Sequence, residues 1–552
     1  MNGSALRATA VTDLPVDAGW SNQARRRAGA IVACLLFLIA ASGSLVTANR
    51  TNYNDEVLWQ ERSQQFATGL ITGDARLLTA YNVNFDTTSA SITMPGIPTL
   101  WVGSGVIIAE CATSDTPVSL GECVKQSSGP SLPNAHRAMA LFGAASVALL
   151  WLVSRRLLGS MTAFLACLLV ATEPFLATLR TMFHTDSLVM SFSLIGFVAL
   201  CRALVLAGKE HNRVALGALA GVTLAGAALT KLSAAAVVPA LVVCVTWAAV
   251  RVWLKQSGSM RTRIRGLLNS HLTAVLGACL VAGLITVVVA WPALAVDPTR
   301  QLGALRSSAL LADEGHIQFF RGAVTRSPPW YYYLWVLAYR LTPWSFLGLL
   351  AIPGTLVARR VDSRWLLFGV FSASQLLIIG ASAKKFDRYG AALVAGCLVL
   401  IAISIDLLVG DRVRRWARNR PAAITGAVCT TVVIALWGHV LLVAPRDITY
   451  FNPLVGGLRS ASGQLMVSWG EERFVADDWL DDHFGDGGYT LCKVRVLGVI
   501  CPPGKGPRVA VTYISNTQRG LLVIPPEEKD RWTQIGSHQI DGVEMVQFWQ
   551  EQ

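Results

Sequence analysis

The sequence predicts an α-helical membrane protein with many spans and a small α/β domain at its C-terminal end. The 552 residues are 53% hydrophobic and only 15% charged, with a mean hydropathy of +0.48. Soluble domains carry roughly 25% charged residues. The cations behind the net charge of +13 lie in loops beside long apolar segments. We therefore interpret the charge as membrane topology rather than as a surface for nucleic acid.

Apolar segments recur along the chain, and we count about eleven, most of which approach the roughly 20 residues that a bilayer needs. Residues 1–27 form a polar N-terminal tail that ends in three arginines. The first apolar segment follows without a clear small-residue cleavage site, which favours a retained helix over a signal peptide. The predicted spans are residues 28–48, 135–154, 161–179, 185–206, 214–230, 234–253, 271–293, 331–357, 364–382, 388–409 and 421–444.

Short basic loops predict the orientation of these spans. The loops that contain Arg155, Lys209, Arg251, Arg359 and Arg412 fall on one side when the spans are counted. The positive-inside rule makes that side cytoplasmic. The N-terminus is then expected inside, with residues 49–133 and 445–552 outside. The basic residues of the segment 384–389 are expected outside as well, against this bias.

The C-terminal region differs from the rest in its residue pattern. Alternation of apolar and polar residues predicts strands near residues 489–496 and 508–514, and residues 477–484 predict a helix. About 100 residues are enough for a separate core. We therefore expect a small outer α/β domain over residues 445–552.

The cysteine positions agree with an oxidising outer side. Seven of the 11 cysteines lie in or beside apolar segments, where a thiol is a small hydrophobic group. The other four form two close pairs in the outer regions, Cys111 with Cys123 and Cys492 with Cys501. We predict disulfides there and keep free thiols as the alternative. The sequence has no zinc-type cluster of cysteine and histidine.

An acidic pair, Asp55 and Glu56, follows the first span closely. A carboxylate at the membrane surface is suited to take a proton from an acceptor hydroxyl, so both residues are candidate catalytic groups. The alternative is that this pair caps a short helix on the membrane surface.

Polar residues at the outer ends of the later spans are candidates for binding one anion, such as the phosphate of a lipid carrier. The alternative is that they only anchor helix ends in the headgroup layer. Asp387 is expected to orient one of the cations. The full predicted set is Arg180, His184, Asp186, Lys231, His316, Lys384, Lys385, Asp387, Arg388 and Tyr389.

Several short motifs, in their order along the chain, resemble the GT-C superfamily of glycosyltransferases. The resemblance is greatest to the protein mannosyltransferase and aminoarabinose transferase-like bacterial membrane enzymes, and it extends over nearly the whole chain. The motifs are Asn54-Asp55-Glu56, residues 95–101, residues 180–186, Leu229-Thr230-Lys231, Gly315-His316 with Phe319-Phe320, residues 384–389, residues 450–457 and Ser468-Trp469-Gly470-Glu471.

The resemblance implies a GT-C fold for residues 28–444, with the outer loop 49–133 as part of the catalytic domain. It implies an inverting glycosyltransferase of the plasma membrane that uses a sugar on a polyprenyl or dolichyl monophosphate and acts on the outer face. Asp55 matches the catalytic acid/base of the family. The implied partners are the lipid-linked donor, membrane lipids, and a protein, glycan or lipid acceptor, and no nucleic acid is expected.

A divalent metal is left open by the sequence. Some relatives bind one with the help of a Glu or His directly before the first-loop proline. Met94 stands there in this chain, and a thioether is a poor ligand for hard cations. His316 is the candidate ligand if a metal is bound.

Two other functions are compatible with part of the sequence. A transporter or flippase of a lipid-linked anion would explain outward cations, but not the acidic pair or the outer C-terminal domain. A non-catalytic assembly protein would tolerate Asp55→Asn. The sequence distinguishes neither the sugar nor the acceptor.

Overall fold

Helices make up most of the chain, and a small sheet lies near its C-terminal end. A computed structural model describes residues 22–46, 48, 55–79, 95–115, 117–205, 212–444, 449–470, 472–495, 498–521 and 523–552. The helices are α1 (Asn22–Leu45), α2 (Glu56–Thr72), α3 (Ile97–Ala112), α4 (Leu120–Gln126), α5 (Leu132–Leu158), α6 (Ser160–Thr172), α7 (Pro174–Thr181), α8 (Asp186–Val205), α9 (Arg213–Thr230), α10 (Val238–Leu254), α11 (Met260–Leu268), α12 (His271–Ala290), α13 (Ala293–Val296), α14 (Pro298–Glu314), α15 (Tyr332–Arg340), α16 (Pro343–Gly348), α17 (Ala351–Val357), α18 (Ser363–Ala381), α19 (Ala391–Arg418), α20 (Ala422–Val443), α21 (Gly457–Ala461), α22 (Glu472–Phe484) and α23 (Ile514–Thr517). The strands are β1 (Gln318–Phe320), β2 (Ala323–Thr325), β3 (Thr490–Arg495), β4 (Gly498–Ile500), β5 (Arg508–Tyr513), β6 (Trp532–Ile540) and β7 (Val543–Glu551). Short 3₁₀ helices cover Leu232–Val237, Asp387–Gly390, Pro453–Val455 and Pro526–Arg531.

The helices suited to cross a membrane match most of the predicted spans. Within the described ranges, nine are long and apolar enough: α1, α5, α8, α9, α10 with the 3₁₀ turn before it, α12, α18, α19 with the 3₁₀ turn before it, and α20. The pair α6 and α7 would form a tenth, bent by 65°. The predicted fold class, a helical membrane protein of many spans with a small C-terminal α/β domain, is confirmed.

The predicted span 331–357 is not one helix. The chain forms α15, α16 and α17 there, and the first break precedes Pro343. Proline removes a hydrogen-bond donor and disfavours helical geometry in the residue before it. The second break, at Leu349 and Leu350, lies one turn before Pro353, which lacks the N–H that would bond the carbonyl of Leu349.

The two broken segments meet at their breaks. Glu173, between α6 and α7, accepts a hydrogen bond from the backbone N–H of Thr342 at 2.7 Å and from the Ser345 hydroxyl at 2.8 Å. Irregular backbone at membrane depth is tolerated where protein groups satisfy it. This carboxyl therefore satisfies the N-terminal end of α16 inside the bundle.

The core of the bundle surrounds α8 and α19. Helix α8 buries nearly all of its side chains, and α19 buries those of its N-terminal half. The rings of Phe197 on α8 and Phe371 on α18 lie 4.9 Å apart. By contrast, α12 and α20 expose apolar side chains such as Leu280, Val288 and Ile434. Such faces are suited to contact lipid.

The segment between α1 and α5 carries its own short helices. A disulfide joins Cys111 on α3 to Cys123 on α4. The described part of this segment packs against the bundle near the first turn of α2, because Trp59 and Phe66 are buried with Leu100 and Phe183.

The C-terminal region forms the predicted small domain. Its sheet has the strand order β4-β3-β5-β7-β6, in which β3 and β5 are parallel and the other pairs are antiparallel. Helix α22 packs on the sheet through Trp479, which stacks on Phe548 with the ring centroids 3.8 Å apart. A disulfide joins Cys492 and Cys501. The predicted strands and helix at residues 477–514 correspond to β3, β5 and α22.

Candidate active site

Charged side chains from four separate segments meet at one end of the bundle. They come from the start of α2, the turn between α7 and α8, the residue after α9, and the 3₁₀ turn before α19. The residues in direct contact are Asp55, His184, Asp186, Lys231 and Arg388. All five belong to the set predicted from the sequence, and they form one connected network.

Asp55 is the most exposed member of this network. Its side chain is 41% exposed, and Oδ2 lies 2.5 Å from a terminal nitrogen of Arg388 and 3.8 Å from Nε2 of His184. Asp55 occupies the N-cap position of α2, but its side chain makes no capping hydrogen bond within the described structure. The carboxylate is therefore turned to Arg388 and to solvent rather than to the helix end, and we call this solvent-exposed face of Asp55 the opening of the site.

The charge on Asp55 depends on its neighbours. Burial favours the neutral carboxyl, but the interactions with the Arg388 guanidinium and the His184 ring outweigh it and lower the pKa of Asp55 to about 2. Asp55 is therefore ionised at neutral pH. It is also a weak proton acceptor while Arg388 stays in contact.

Asp186 lies at the centre of the network and is nearly fully buried. Its oxygens lie 2.5 Å from Nζ of Lys231, 2.9 Å from Nδ1 of His184 and 3.4 Å from Nε of Arg388. Lys231 also lies over the ring of Tyr389, 3.5 Å from its centroid. One buried carboxylate thus holds two cations and an imidazole in fixed positions.

His184 presents one ring nitrogen to each aspartate. Burial and the charge of Arg388 lower its pKa, so the ring is neutral at neutral pH. The contact with Asp186 at 2.9 Å assigns the proton to Nδ1. Nε2 then carries the lone pair that faces Asp55.

Arg388 is held by aromatic rings as well as by carboxylates. Its guanidinium lies 4.2 Å from the ring centroid of Trp469 and 5.3 Å from that of Phe386. Trp469 follows Ser468, whose φ of 81° is unusual for a residue other than glycine. Trp469 was part of a sequence motif, but its contact with Arg388 was not predicted.

Lys384 and His316 lie at the rim of the site. Lys384 is half-buried, and its ammonium group forms no hydrogen bond or ion pair in the part of the chain that the structure describes. Burial and the charge of Arg388 lower its pKa. His316 is exposed, and its ring lies 5.4 Å from that of Phe386 at an angle of 43°. Burial and the charge of Lys384 lower the pKa of His316. Lys384 is thus a cation with donors free for a ligand.

Glu56, predicted as a catalytic group beside Asp55, is fully buried. Oε1 lies 2.7 Å from Nε2 of His136 and accepts a hydrogen bond from the N–H of Phe183 at 2.8 Å. These contacts tie the first turn of α2 to α5 and to the residue before His184. The structure gives Glu56 a positioning role, away from the opening.

Two of the predicted anion-binding cations lie outside the network. Arg180 is fully buried and donates to the carbonyls of Val170 and Ala171 at 2.9 and 2.7 Å, which satisfies the end of α6 at the bend. Lys385 donates to the carbonyl of Pro328 at 2.7 Å and to that of Ser382. Both side chains bind backbone oxygens, because those carbonyls have no helical partner.

Asp387 does not orient a neighbouring cation, in contrast to the prediction. It accepts hydrogen bonds from Nε and a terminal nitrogen of Arg340 on α15, at 2.9 and 2.6 Å. Arg340 also lies over the ring of Phe451, 4.0 Å from its centroid. Asp387 therefore attaches the turn that carries Arg388 to α15.

The sequence analysis left a divalent metal open, with His316 as the candidate ligand. Within the described ranges, no group of three or more His, Cys, Asp or Glu side chains is suited to hold a metal ion. Met94 lies outside the described residues. The His316 ring lies 5.4 Å from the aromatic ring of Phe386.

One family of known proteins matches part of the chain. Residues 134–262 match the family model described as dolichyl-phosphate-mannose-protein mannosyltransferase. The predicted resemblance is confirmed. The matched residues include His184, Asp186 and Lys231 of the network. Among curated proteins, none matches the sequence significantly.

Solved structures match over a larger part of the chain at low identity. ArnT from Cupriavidus metallidurans bound to undecaprenyl phosphate matches 75% of this chain, with 16% identity and a TM-score of 0.46. The apo state of the same protein matches 71% of this chain, with 16% identity and a TM-score of 0.47. The oligosaccharyltransferase AglB from Archaeoglobus fulgidus, in complex with an inhibitory peptide and a dolichol-phosphate, matches 76% with 12% identity and a TM-score of 0.43. This chain spans 66% and 62% of the two ArnT chains and 56% of the AglB chain.

Proposed function

We propose that this protein is an inverting glycosyltransferase that moves a sugar from a polyprenyl-phosphate carrier to an acceptor on the outer face of the membrane. The observation that carries the proposal is the Arg388–Asp55 ion pair of 2.5 Å at a half-exposed opening, supported from below by Asp186. It combines a proton acceptor and an anion-binding group at one place. The family match and the carrier phosphates named for ArnT and AglB support the same chemistry.

The charges of the site suit a phosphate group that leaves. Among the described residues, Lys231 and Arg388 form ion pairs with two carboxylates, those of Asp55 and Asp186. Lys384 adds a third cation at the rim. The phosphodiester of a lipid-linked sugar carries one negative charge, and the phosphate gains charge as the sugar leaves. Cations fixed before the reaction stabilise this developing charge without reorganisation.

The proposed reaction makes one bond and breaks one. The acceptor oxygen attacks the anomeric carbon, and the bond from that carbon to the phosphate oxygen breaks with its electron pair left on the phosphate. Asp55 takes the hydroxyl proton of the acceptor. If the acceptor group is itself a phosphate, no base is needed and Asp55 positions the reacting groups.

Donor binding would also make Asp55 a better base. A carrier phosphate competes with Asp55 for Arg388, and an Asp55 carboxylate that loses this contact regains a higher pKa. His184, whose Nε2 faces Asp55, is suited to receive or share the proton. The base would then be strongest when the donor is in place.

A comparison of strains tests the proposal. Polyprenyl-phosphate sugars are quantified by mass spectrometry in cells that lack this protein and in the same cells supplied with wild type or Asp55→Asn. We expect one lipid-linked sugar to accumulate in the deletion strain and with Asp55→Asn, and to return to its normal level with wild type. Equal levels in all strains would contradict the proposed donor.

A further inference from the structure

Helix α11 lies in the loop between two helices that are suited to cross the membrane. The candidate span Leu232–Leu254, which contains α10, precedes it, and α12 follows it. Because both neighbours are long and apolar enough to cross a bilayer, the loop between them lies at a membrane surface. At the other end of the first span, Lys231 belongs to the candidate active site. Helix α11 therefore lies at the membrane surface opposite that site.

Contacts to both neighbouring helices hold α11 in place. The carbonyl of Leu267 accepts hydrogen bonds from the hydroxyls of Ser270 and Thr273 at 2.6 and 3.2 Å, which joins the end of α11 to the start of α12. The guanidinium of Arg263 lies over the ring of Trp253 in the last turn of α10, 5.7 Å from its centroid. The helix is thus tied to both spans and stays close to the membrane surface.

One face of α11 is apolar and exposed. Met260, Ile264 and Leu268 recur every four residues, which places them in one row along the helix. Their exposed fractions are 65%, 42% and 59%. A row of large apolar side chains that is exposed at a membrane surface is suited to enter the boundary between headgroups and acyl chains.

Arginines flank this apolar row on both sides. Successive residues of a helix are turned by about 100°, so Arg261 and Arg265 lie on one side of the row and Arg263 lies on the other. Together with Lys255 they give the loop 255–270 four cations, and the loop contains no Asp or Glu. In the part of the chain that the structure describes, none of these four side chains forms an ion pair. Their charge is therefore available to an external anion.

We propose that α11 is an interfacial helix that binds anionic phospholipids at the membrane surface opposite the candidate active site. Its apolar row enters the acyl-chain boundary, and the flanking arginines bind lipid phosphates at the level of the headgroups. A long arginine side chain can keep its stem in the apolar layer while its guanidinium donates two hydrogen bonds to one phosphate. The basic loops predict this surface to be the cytoplasmic one, whose lipids carry negative charge. The inference goes beyond the proposed sugar transfer and does not depend on it.

The depth of α11 in a bilayer tests the apolar row. A spin label is attached to Ile264→Cys or to Thr262→Cys in full-length protein that carries Cys34→Ser and Cys429→Ser, because those two thiols are exposed. The signal of the same protein without an introduced cysteine is subtracted. The nanodiscs contain phosphatidylcholine mixed with phosphatidylglycerol, and relaxation by oxygen, which concentrates among acyl chains, is compared with relaxation by a water-soluble nickel chelate.

Oxygen should dominate at Ile264→Cys, and the chelate should dominate at Thr262→Cys on the opposite, exposed face of α11. A label at Ile264→Cys that is as open to the chelate as the label at Thr262→Cys would overturn the inference. Shielding of the Ile264→Cys label from both reagents would indicate a protein partner on this face and would also overturn it.

Binding of phospholipid to the purified full-length protein tests the arginines. Native mass spectrometry measures the dissociation constant of dioleoyl phosphatidylglycerol, and dioleoyl phosphatidylcholine measures binding of the same acyl chains without net charge. The double variant Arg261→Gln/Arg265→Gln should weaken phosphatidylglycerol binding about 5- to 30-fold, because one cation near anionic headgroups contributes a factor of about five. Binding of phosphatidylcholine should not change. Arg261→Lys/Arg265→Lys, which keeps both charges, should stay within about threefold of wild type.

The matched control is Arg418→Gln/Arg420→Gln, which removes two exposed arginines at the end of α19 that lies opposite the candidate site. It should bind phosphatidylglycerol like wild type. Equal losses in the two glutamine variants would assign the binding to the whole basic surface and overturn the role of α11, as would wild type that binds both lipids equally. Thermal unfolding verifies that each variant is folded. If Arg261→Gln/Arg265→Gln does not fold, the Ile264→Cys label decides: it should lie deeper with phosphatidylglycerol than in phosphatidylcholine alone, and equal depth would overturn the inference.

Discussion

Replacing Arg388 by lysine separates the charge of this residue from its shape. The guanidinium lies 2.5 Å from Asp55 and 3.4 Å from Asp186, and it also lies over the ring of Trp469 at 4.2 Å. A lysine ammonium is a compact charge and cannot span both carboxylates while stacking on the indole. Arg388→Lys therefore keeps one positive charge in the site but loses the fixed arrangement.

The expected size of the effect follows from these contacts. One charge-assisted hydrogen bond contributes roughly 1.5–3 kcal/mol, and the stacking contact about 0.5–1 kcal/mol more. The Arg388 side chain is only 6% exposed, so solvent screens these contacts little. A lysine recovers part of this loss. We expect a net loss of about 2–3 kcal/mol, which lowers kcat/KM for the donor roughly 30- to 150-fold.

The assay is the rate of sugar transfer by purified protein at varied donor concentration, with the lipid-linked sugar that accumulates in the deletion strain. We expect kcat/KM for the donor to fall by the stated factor for Arg388→Lys and further for Arg388→Ala. Arg418→Lys, at the opposite and exposed end of α19, is the matched control. A folded Arg388→Lys protein whose kcat/KM for the donor is within threefold of wild type would refute the role of the guanidinium geometry.

Three further predictions test other parts of the account. Lys385→Ala should lower thermal stability, because the carbonyls of Pro328 and Ser382 lose the ammonium group that donates to them. The KM for the lipid-linked sugar should stay within about threefold of wild type. A KM raised as much as in Arg388→Ala would show that Lys385 binds substrate. Glu56→Gln should destabilise the protein by roughly 1–3 kcal/mol in thermal unfolding, since a buried hydrogen-bonded carboxylate is altered. It should reduce kcat less than Asp55→Asn does. An equal or larger loss of kcat at normal stability would give Glu56 a direct catalytic role. For topology, cysteines introduced at the exposed positions Asp74 and Asp486 should react with a membrane-impermeant reagent in intact cells. Protection of both until lysis would place these regions inside and remove the argument for an outer site.

Much of the network was predictable because membrane topology brings helix ends to a common level. Asp55, His184, Asp186, Lys231 and Arg388 each lie at or near the same predicted end of an apolar span. Polar residues retained there against the charge bias indicated a common site. Their sequence separation did not hinder the prediction, since the bilayer itself limits where the ends can lie.

Local geometry decided which neighbouring cations belong to the site. Lys385 and Arg388 are three residues apart, and the 3₁₀ turn Asp387–Gly390 brings only Arg388 to Asp55. Arg180 binds carbonyls of α6 because the helix pair bends by 65° beside Glu173. Neither the turn nor the bend has a sequence signal strong enough to assign a side-chain direction.

Contacts made by the C-terminal domain had no local signal at all. Trp469 lies beside Arg388, and the loop before it is held by hydrogen bonds between Gln518 and backbone groups of Ser462, Leu465 and Val467. Backbone groups are the same in every residue, so the sequence does not show which of them Gln518 will bind. Residues of this kind are found only once the domain is seen in place.

Release of the carrier phosphate tests the central claim most directly. The lipid-linked sugar from the deletion strain is incubated with purified protein and an envelope fraction that supplies the acceptor, and free polyprenyl monophosphate is measured over time. Wild type should release the monophosphate, and Asp55→Asn should release it roughly 10²- to 10⁴-fold more slowly, the usual contribution of a general base. No release by wild type, or equal release by wild type and Asp55→Asn, would contradict a glycosyltransferase that uses Asp55 as its base.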